Sequence, residues 1–315
     1  MPANPLTTRS RVMLEIASEM VGGPDRDFKQ CRIAFRPQQG REWGKTFYGS
    51  STYEMIETVL KGEAIIAMMN PVGPLATAVK GKGRFSSPQP LRCLAVIPSE
   101  DQFVAAVRPE TGIKSWEDFA AKKPGLKIGL RGQLDHGLTP MVIDLARAAG
   151  WDVDDLNKWG GKAIREGNIP FPDGPKFKQL VDGALDGVFD EASGSWANQA
   201  AEAGMTILPM AEATVKTLEE QGYRRAYMRK SVFPAMKQDI LTIDFSGWPI
   251  FVRADLDDAI VTQMCAGLDA RKHNIPWEGE GPLPVERMAR EAPDTPQDIP
   301  LHPAAEKYWK SKGYL

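Results

Sequence analysis

The sequence predicts an α/β protein, because segments with the pattern of β-strands are followed repeatedly by segments with the periodicity of helices. The clearest example is LKIGLRGQLDHGLTPMVIDLARAAG, in which an apolar strand (126–130) leads through a polar loop into an amphipathic helix (138–150). A second observation is the capping box of Ser51 and Glu54, which predicts a helix that begins in front of an apolar stripe. Strands and helices that alternate in this way are typical of a mainly parallel sheet covered by helices.

The first third of the chain is expected to contain two helices separated by strands. A helix over 7–23 can be capped by a threonine and ends at two glycines, and a helix over 50–62 ends at Gly62. Alternating or unbroken apolar segments predict strands over 31–37, 64–71, 91–99 and 103–109.

The remainder continues the alternation. Ser115 and Asp118 begin a short helix in front of the strand 126–130 and the helix 138–150, whereas glycine and proline make 157–175 irregular. Further helices are predicted over 176–187, 195–204, 214–222, 257–274 and 302–313, and strands over 188–192, 205–210 and 240–256, the last broken at Ser246 and Gly247.

Composition excludes several classes of protein. The 315 residues carry a formal net charge of −2, so the basic excess of a nucleic-acid-binding protein is missing. The longest apolar run, AIIAMM (64–69), is too short to span a bilayer, which argues against direct membrane insertion. No export signal precedes the first helix, so we expect a cytoplasmic protein if the chain is complete as given, and a periplasmic one if a signal was trimmed.

Motifs for cofactors, metals and nucleophiles are missing from the sequence. There is no GxGxxG, Walker A or GxSxG pattern, and the three cysteines are far apart in apolar surroundings that predict burial. No histidine spacing suits a metal, so we expect neither metal nor cofactor. His136 stands beside Asp135 in a loop and is interpreted as a surface or ligand-contacting residue, while His273 and His302 are expected to face solvent.

The order of several segments resembles a known family. GSSTYEMIETVLKGEAIIAMMNP, GIKSWEDFAAKKPGLKIGLRGQLDHG, LVDGALDGVFDEASGSWANQAAEAG and HPAAEKYWKSKGYL are similar, in this order, to segments of TAXI-type solute-binding proteins. These proteins are the receptors of a class of tripartite, ATP-independent (TRAP) transporters. The resemblance covers most of residues 48–315 and is carried by moderately specific pieces rather than by one decisive motif.

The resemblance implies a two-lobed type II periplasmic-binding-protein-like fold with a ligand cleft between the lobes. On this reading, residues 1–108 form the first part of lobe I and residues 109–240 form lobe II. Residues 241–315 then supply a crossover strand and the C-terminal helices that return to lobe I.

The same resemblance, together with the chemistry of the loops, nominates a ligand site. Carried over position by position, the resemblance implies ligand contacts from Gly49, Ser50, Ser51, Asn70, Gly132, Gln133, Gly137, Glu191 and Trp196. Side-chain chemistry adds Arg131 to the predicted ligand site, because it can bind a carboxylate with two hydrogen bonds. His136 and Trp248 are added because they lie beside glycine-containing loops. Of the neighbouring Asp190 and Glu191, one is expected to contact the ligand and the other to face solvent.

The leading hypothesis is a solute-binding receptor of a TRAP-type transport system that closes on a small carboxylate-bearing organic ligand, with membrane transporter subunits as partners. The charged loop that holds Arg131, Asp135 and His136 departs from the small, uncharged loop of the family. The alternative is therefore a cytoplasmic enzyme, similar to a decarboxylase or lyase, that acts on a small organic acid with the same scaffold. His136, Asp135 and Glu191 would be its catalytic candidates.

Overall fold

A computed structural model describes residues 11–17, 19, 53–132 and 136–315. Its helices are α1 (residues 11–17 and 19), α2 (Tyr53–Leu60), α3 (Gly73–Lys80), α4 (Glu117–Lys122), α5 (Leu138–Ala148), α6 (Asp155–Lys158), α7 (Pro175–Asp182), α8 (Ser193–Glu202), α9 (Glu212–Gln221), α10 (Asp258–Ala270) and α11 (Pro303–Ser311). Its strands are β1 (Ala67–Met68), β2 (Leu91–Ile97), β3 (Val104–Val107), β4 (Lys127–Leu130), β5 (Lys162–Arg165), β6 (Gly187–Asp190), β7 (Thr206–Ile207), β8 (Arg225–Met228), β9 (Ile240–Ile243) and β10 (Trp248–Arg253). The α/β class predicted from the sequence is confirmed.

The chain divides into two compact units. The first contains the described residues up to Gly81, together with Phe85–Glu100 and Ser246–Leu315, and the second contains Lys82–Arg84 and Asp101–Phe245. The chain therefore passes from the first unit to the second at Glu100 and Asp101, eight residues before the boundary expected after residue 108. It returns at Phe245 and Ser246, five residues after the boundary expected at residue 240.

Among the residues that the structure describes, the first unit contains a three-stranded antiparallel sheet in the order β1-β10-β2. One apolar cluster joins Ile250 and Trp248 of β10 to α10 and α11, and another joins Phe251 to α2 and α3. Cys93 in β2 and Cys265 in α10 are buried thiols, as expected, and burial raises the pKa of Cys93 to about 12.

The second unit has a five-stranded sheet in the order β5-β4-β6-β3-β7. Strand β4 runs parallel to β5 and β6, whereas β3 runs antiparallel to β6 and β7. Strands β8 and β9 form a separate antiparallel pair. Among the described strands the expectation of a mainly parallel sheet is wrong, because helix–strand alternation does not reveal the opposite direction of β3.

Two glycines let β4 and β6 lie close to their neighbours. A Cβ atom at Gly187 would lie 2.8 Å from Val107 Cγ1 and 2.9 Å from the carbonyl oxygen of Ala106, and one at Gly129 would lie 2.8 Å from Leu185 Cδ1. Both positions therefore require glycine for packing. An apolar core packs against this sheet, and it contains stacked aromatic rings such as those of Phe119 and Trp151, whose centroids are 4.6 Å apart.

Several local expectations are corrected by the structure. Residues 157–175, expected to be irregular, contain the end of α6 and the edge strand β5, while α3 and β8 were not predicted. Strand β1 is limited to two residues of the 64–71 segment, and the strand expected over 31–37 lies outside the described residues.

His273 is exposed as expected, but the expectation for His302 is wrong, because its ring is buried and its Nδ1 accepts a hydrogen bond from the Ala304 amide at the start of α11. None of the described helices is both long and apolar enough to cross a bilayer.

Candidate functional site

Charged side chains of the second unit meet where β4 and β6 end. Arg131 directly follows β4, Asp190 is the last residue of β6, and Glu191 follows it. Because β4 and β6 are parallel neighbours, their carboxyl ends reach the same edge of the sheet. That edge is where open α/β sheets bind their ligands.

Arg131 holds both carboxylates with one guanidinium group. Its Nε lies 3.1 Å and its Nη2 2.5 Å from Asp190 Oδ1, and Nη2 also donates to Glu191 Oε1 at 2.8 Å. Arg131 is 4% exposed and Asp190 is fully buried. Burial disfavours the charged guanidinium, but the negative charges of Asp190 and Glu191 outweigh it and raise the pKa of Arg131.

Lys176, in the first turn of α7, is a second buried cation. Its ammonium group donates to the carbonyl oxygen of Leu130 at 3.0 Å and lies 3.5 Å from Asp190 Oδ2. Burial lowers the pKa of Lys176, against the opposing effect of the Asp190 charge. The carboxylate of Asp190 thus contacts two cations, Arg131 directly after β4 and Lys176 in α7.

His136 lies on the other side of Glu191, just before α5. Its Nδ1 accepts a hydrogen bond from the Leu138 amide at 3.1 Å, and its Nε2 lies 3.5 Å from Glu191 Oε1. A ring that accepts at Nδ1 is a neutral imidazole with its proton on Nε2, here directed at the Glu191 carboxylate. The ring is 2% exposed and stacks on Phe245, with centroids 6.4 Å apart. Of the two interpretations of His136, that of a surface residue is therefore wrong, and that of a ligand contact stays a prediction.

Asp101 approaches Glu191 from the segment in front of β3. Its Oδ1 accepts from the amides of Gln102 (2.7 Å) and Ser193 (2.8 Å), and its Oδ2 accepts from the Ala192 amide (2.6 Å). Asp101 therefore occupies the N-terminus of α8, a position that favours an anion. Burial, together with the charge of Glu191, raises the pKa of Asp101 well above its ordinary range.

The backbone between Glu191 and α8 has an uncommon conformation. Ala192 has φ +61° and ψ +47°, in the left-handed region that residues with a Cβ adopt at an energetic cost. The turn sends the chain from β6 directly into α8, so that the amides of Ala192 and Ser193 point at Asp101 while Glu191 faces Arg131.

The structure brings together Arg131, His136 and Glu191 from the predicted site and gives other predicted members a different environment. The Gly132 amide donates to the carbonyl oxygen of Gly167 at 3.0 Å, and Trp196 is fully buried with its Nε1 donating to the carbonyl oxygen of Glu191 at 2.8 Å. Trp196 therefore supports the backbone of Glu191. The expectation that one of Asp190 and Glu191 faces solvent is wrong, because Arg131 draws both into the interior.

Two predicted ligand contacts belong to the first unit. Trp248, the first residue of β10, is 1% exposed. Asn70, which follows β1, is also buried, and its Oδ1 has no hydrogen-bond partner among the described residues. The remaining predicted residues lie outside the described part of the chain: Gly49, Ser50, Ser51, Gln133 and Asp135.

Two members of the network, Asp101 and Lys176, were missed by sequence reasoning. Lys176 looked like an ordinary first-turn residue of an amphipathic helix, and Asp101 followed a proline, a serine and a glutamate in a polar connection. Neither position carries a local signal, because each partner lies far away in sequence. Within the described part of the chain, no three His, Cys, Asp or Glu side chains are grouped as metal ligands would be.

Comparison with protein families gives a match over residues 47–313, most of the chain, to the NMT1-like family. The chain belongs to the NMT1-like family. A search of curated proteins finds no match.

Solved structures with similarity to this NMT1-like chain include solute-binding proteins. One, described as a periplasmic transporter, is 13% identical, with a TM-score of 0.39, and the match covers 99% of this chain and 91% of the other. A substrate-binding protein of an amino acid ABC transporter is 11% identical, with a TM-score of 0.31 and coverage of 84% and 82%. A protein from Bordetella bronchiseptica RB50 is 14% identical, with a TM-score of 0.41 and coverage of 85% and 86%.

Proposed function

We propose that this member of the NMT1-like family is a solute-binding receptor for a small, carboxylate-bearing organic ligand, and that it serves a TRAP-type transport system of the TAXI class. Its partners would be the membrane subunits of that system, and the periplasm is the compartment that goes with this role. The observation that carries the proposal is the buried network of Arg131, Asp190, Glu191, His136 and Lys176 at the carboxyl ends of β4 and β6.

The energetics of the network support a binding role. A buried ion pair is often no more stabilising than apolar residues of the same volume, so stability alone is a weak reason to keep one. This network lies at the edge of the sheet where α/β proteins bind ligands, and two of its members, Arg131 and Lys176, are cations. Asp190 and Glu191 balance these two positive charges, so a carboxylate ligand would bind here by sharing Arg131 with Glu191.

Asn70 supports the proposal from the first unit. Its side-chain oxygen is buried and lacks a hydrogen-bond partner among the described residues, which is uncommon for a folded protein. A hydroxyl or N–H group of a bound ligand would satisfy it. We therefore retain Asn70 as a ligand contact, together with Gly49, Ser50, Ser51 and Trp248 as further candidates.

The alternative, an enzyme that acts on a small organic acid, receives less support from His136. A general base needs a nitrogen lone pair that can reach a substrate proton. Here Nδ1 accepts from the Leu138 amide and Nε2 faces Glu191, so the ring is oriented to support Glu191 rather than to take a proton from a substrate.

A thermal-shift screen with acetate, succinate, glutarate and 2-oxoglutarate tests the proposal. A ligand present at about 100 times its Kd stabilises the native state by about 2.7 kcal/mol, which gives a rise of several degrees in Tm. For the best compound, we expect Arg131→Lys to weaken binding about tenfold or more, because lysine cannot hold two carboxylates with one planar group. The matched control, Arg229→Lys, changes an exposed arginine paired with Asp239 and should bind as the wild type does.

The outcomes separate the two functions. If no carboxylate raises Tm, the receptor proposal fails. If NMR of the incubated mixture shows that the wild-type chain converts a bound acid to a product, the enzyme alternative replaces it.

A further inference from the structure

Arg165, the last residue of β5, is a partly buried cation that has no carboxylate partner among the described residues. Its Nη1 donates to the hydroxyl group of Thr139 at 3.3 Å. Arg131, beside it at the end of β4, instead donates to two carboxylates. A guanidinium group has five N–H donors in a planar fork that fits a carboxylate, so most of the binding capacity of Arg165 is unused within the described part of the chain.

The surroundings of Arg165 disfavour a cation unless an anion is bound there. Thr139 lies in the first turn of α5, where the helix dipole places partial positive charge. Burial lowers the pKa of Arg165, against the opposing effect of the charge of Asp154. Because partly buried charges in folded proteins are usually paired, we expect a ligand to supply the anion that the described residues do not.

Arg165 and Arg131 lie at the carboxyl ends of neighbouring strands but on opposite faces of the sheet. Arg165 is the register partner of Leu130, so these two side chains share the face that α5 covers. Arg131 is the next residue along the chain and points to the other face, where α7 brings Lys176 to Asp190. A single carboxylate cannot contact both guanidinium groups, whereas a small molecule with an acidic group at each end can lie across the end of the sheet.

We propose that Arg165 binds a second acidic group of the ligand and makes the candidate site selective for dicarboxylates. The inference rests on the proposed function, because it names the substrate class of the same site. One carboxylate of the ligand shares Arg131 with Glu191, and Arg165 holds the other. The first turn of α5 connects the two positions, because His136 faces Glu191 while its carbonyl oxygen accepts from the Thr139 amide at 3.2 Å.

The first test compares succinate with succinamate, in which an amide replaces one carboxylate, by calorimetry on the full chain. The wild type should bind succinate about tenfold more tightly or better, because one charge-assisted contact is lost with the amide. Arg165→Gln should lower the affinity for succinate to that for succinamate and leave the affinity for succinamate unchanged. Arg147→Gln, which changes an exposed arginine of α5 paired with Asp152, is the matched control and should bind both compounds as the wild type does. Glutarate and its monoamide repeat the comparison with one more methylene group.

The outcomes distinguish this inference from the proposed function. If the wild type binds the acid and the amide of both pairs equally, or if Arg165→Gln weakens both members of a pair alike, the role of Arg165 is overturned and the receptor function stands. If none of these compounds binds, the receptor function fails and the dicarboxylate selectivity fails with it.

The second test measures the Tm of the ligand-free chain, which separates a ligand contact from a structural role. Because Arg165→Gln removes a cation that lacks a carboxylate partner, we expect the Tm to stay unchanged or to rise. Arg165→Lys keeps the charge without the planar fork, so it should recover part of the affinity for succinate. A ligand-free Arg165→Gln chain that melts several degrees below the wild type would make Arg165 a structural residue and overturn the proposal.

Discussion

Arg131 is the residue on which the candidate site depends, because a single guanidinium group joins Asp190 to Glu191. Lysine or a neutral residue could not replace it, since Nη2 donates to both carboxylates while Nε of the same planar group donates to Asp190. Asp190 is fully buried and keeps Lys176 as a second cation, whereas Glu191 relies on Arg131.

Replacement of Arg131 by alanine is expected to lower the free energy of unfolding by about 3–5 kcal/mol, because it leaves buried carboxylates without their guanidinium partner. Chemical denaturation of the full chain measures this change. Arg229→Ala is the control, because it removes one partner of an exposed ion pair and should lower stability by about 1 kcal/mol or less. Equal losses in the two variants would contradict the assignment of Arg131 as the centre of the network.

Some residues of this site could be predicted from the sequence. Arg131 and His136 were recognised because they lie in the polar loop that follows a predicted strand, and Glu191 because the family resemblance implied it. Asp101 was missed because its role comes from the sheet order, which places β3 beside β6, and Lys176 because α7 brings it to Asp190 from elsewhere in the chain. Sequence also misjudged Asp190, since nothing local shows that its carboxylate meets cations from β4 and α7.

At the scale of secondary structure elements, the turn from β6 into α8 is the feature that orients the site. Ala192 adopts a left-handed conformation there, and its amide and that of Ser193 bind Asp101. The conformation is held by these hydrogen bonds and by the burial of Trp196 in α8, not by any preference of alanine.

Ala192→Gly is expected to raise the free energy of unfolding by up to about 1 kcal/mol, because glycine adopts the left-handed conformation without the steric cost of a Cβ. Thermal or urea unfolding measures the gain. Ala266→Gly is the matched control, since Ala266 lies in the interior of the helix α10, where glycine should lower stability by about 1 kcal/mol. A loss of stability at both positions would show that the turn is not strained.

Elements were predictable where their signals were local. The unit from β4 through α5 follows from an apolar run, a polar loop and a helical stripe, and Gly62 ends α2 in the left-handed conformation typical of a helix terminus. Strand β5 was missed because glycines and prolines surround it, and it forms only through parallel pairing with β4. Strand directions were not predictable for the same reason: pairing partners, not the strands themselves, decide them.

For the whole molecule, the raised pKa of Asp101 has a consequence for the dependence of stability on pH. A group whose pKa is raised by folding binds its proton more tightly in the native state than in the unfolded chain. Its stabilising contribution is complete below the ordinary aspartate pKa and is lost as the pH rises through the raised value. The contribution of Asp101 to the stability of the fold is therefore largest at pH values below its raised pKa.

Comparison of the wild type with Asp101→Asn isolates this contribution. The difference in their free energies of unfolding should favour the wild type at acidic pH and shrink as the pH rises through the Asp101 titration, because asparagine does not titrate. Urea denaturation at a series of pH values measures it. In Asp173→Asn, which changes an exposed residue of the same unit, the difference should stay constant. A flat difference for Asp101→Asn as well would mean that its carboxyl group has the same proton affinity in both states.

The position of the network at the ends of β4 and β6 also has a kinetic meaning. These strands become neighbours only after the chain between Leu130 and Gly187 has folded back, since parallel strands require a long connection. The entropy of closing that connection must be overcome before Arg131 can meet Asp190 and Glu191. We expect the ion pairs to form after the barrier, so that an Arg131 variant unfolds faster while it folds at nearly the wild-type rate, and stopped-flow mixing with urea measures both rates. On that expectation, the charged groups at the edge of the sheet set the lifetime of the folded chain, not the speed at which it is reached.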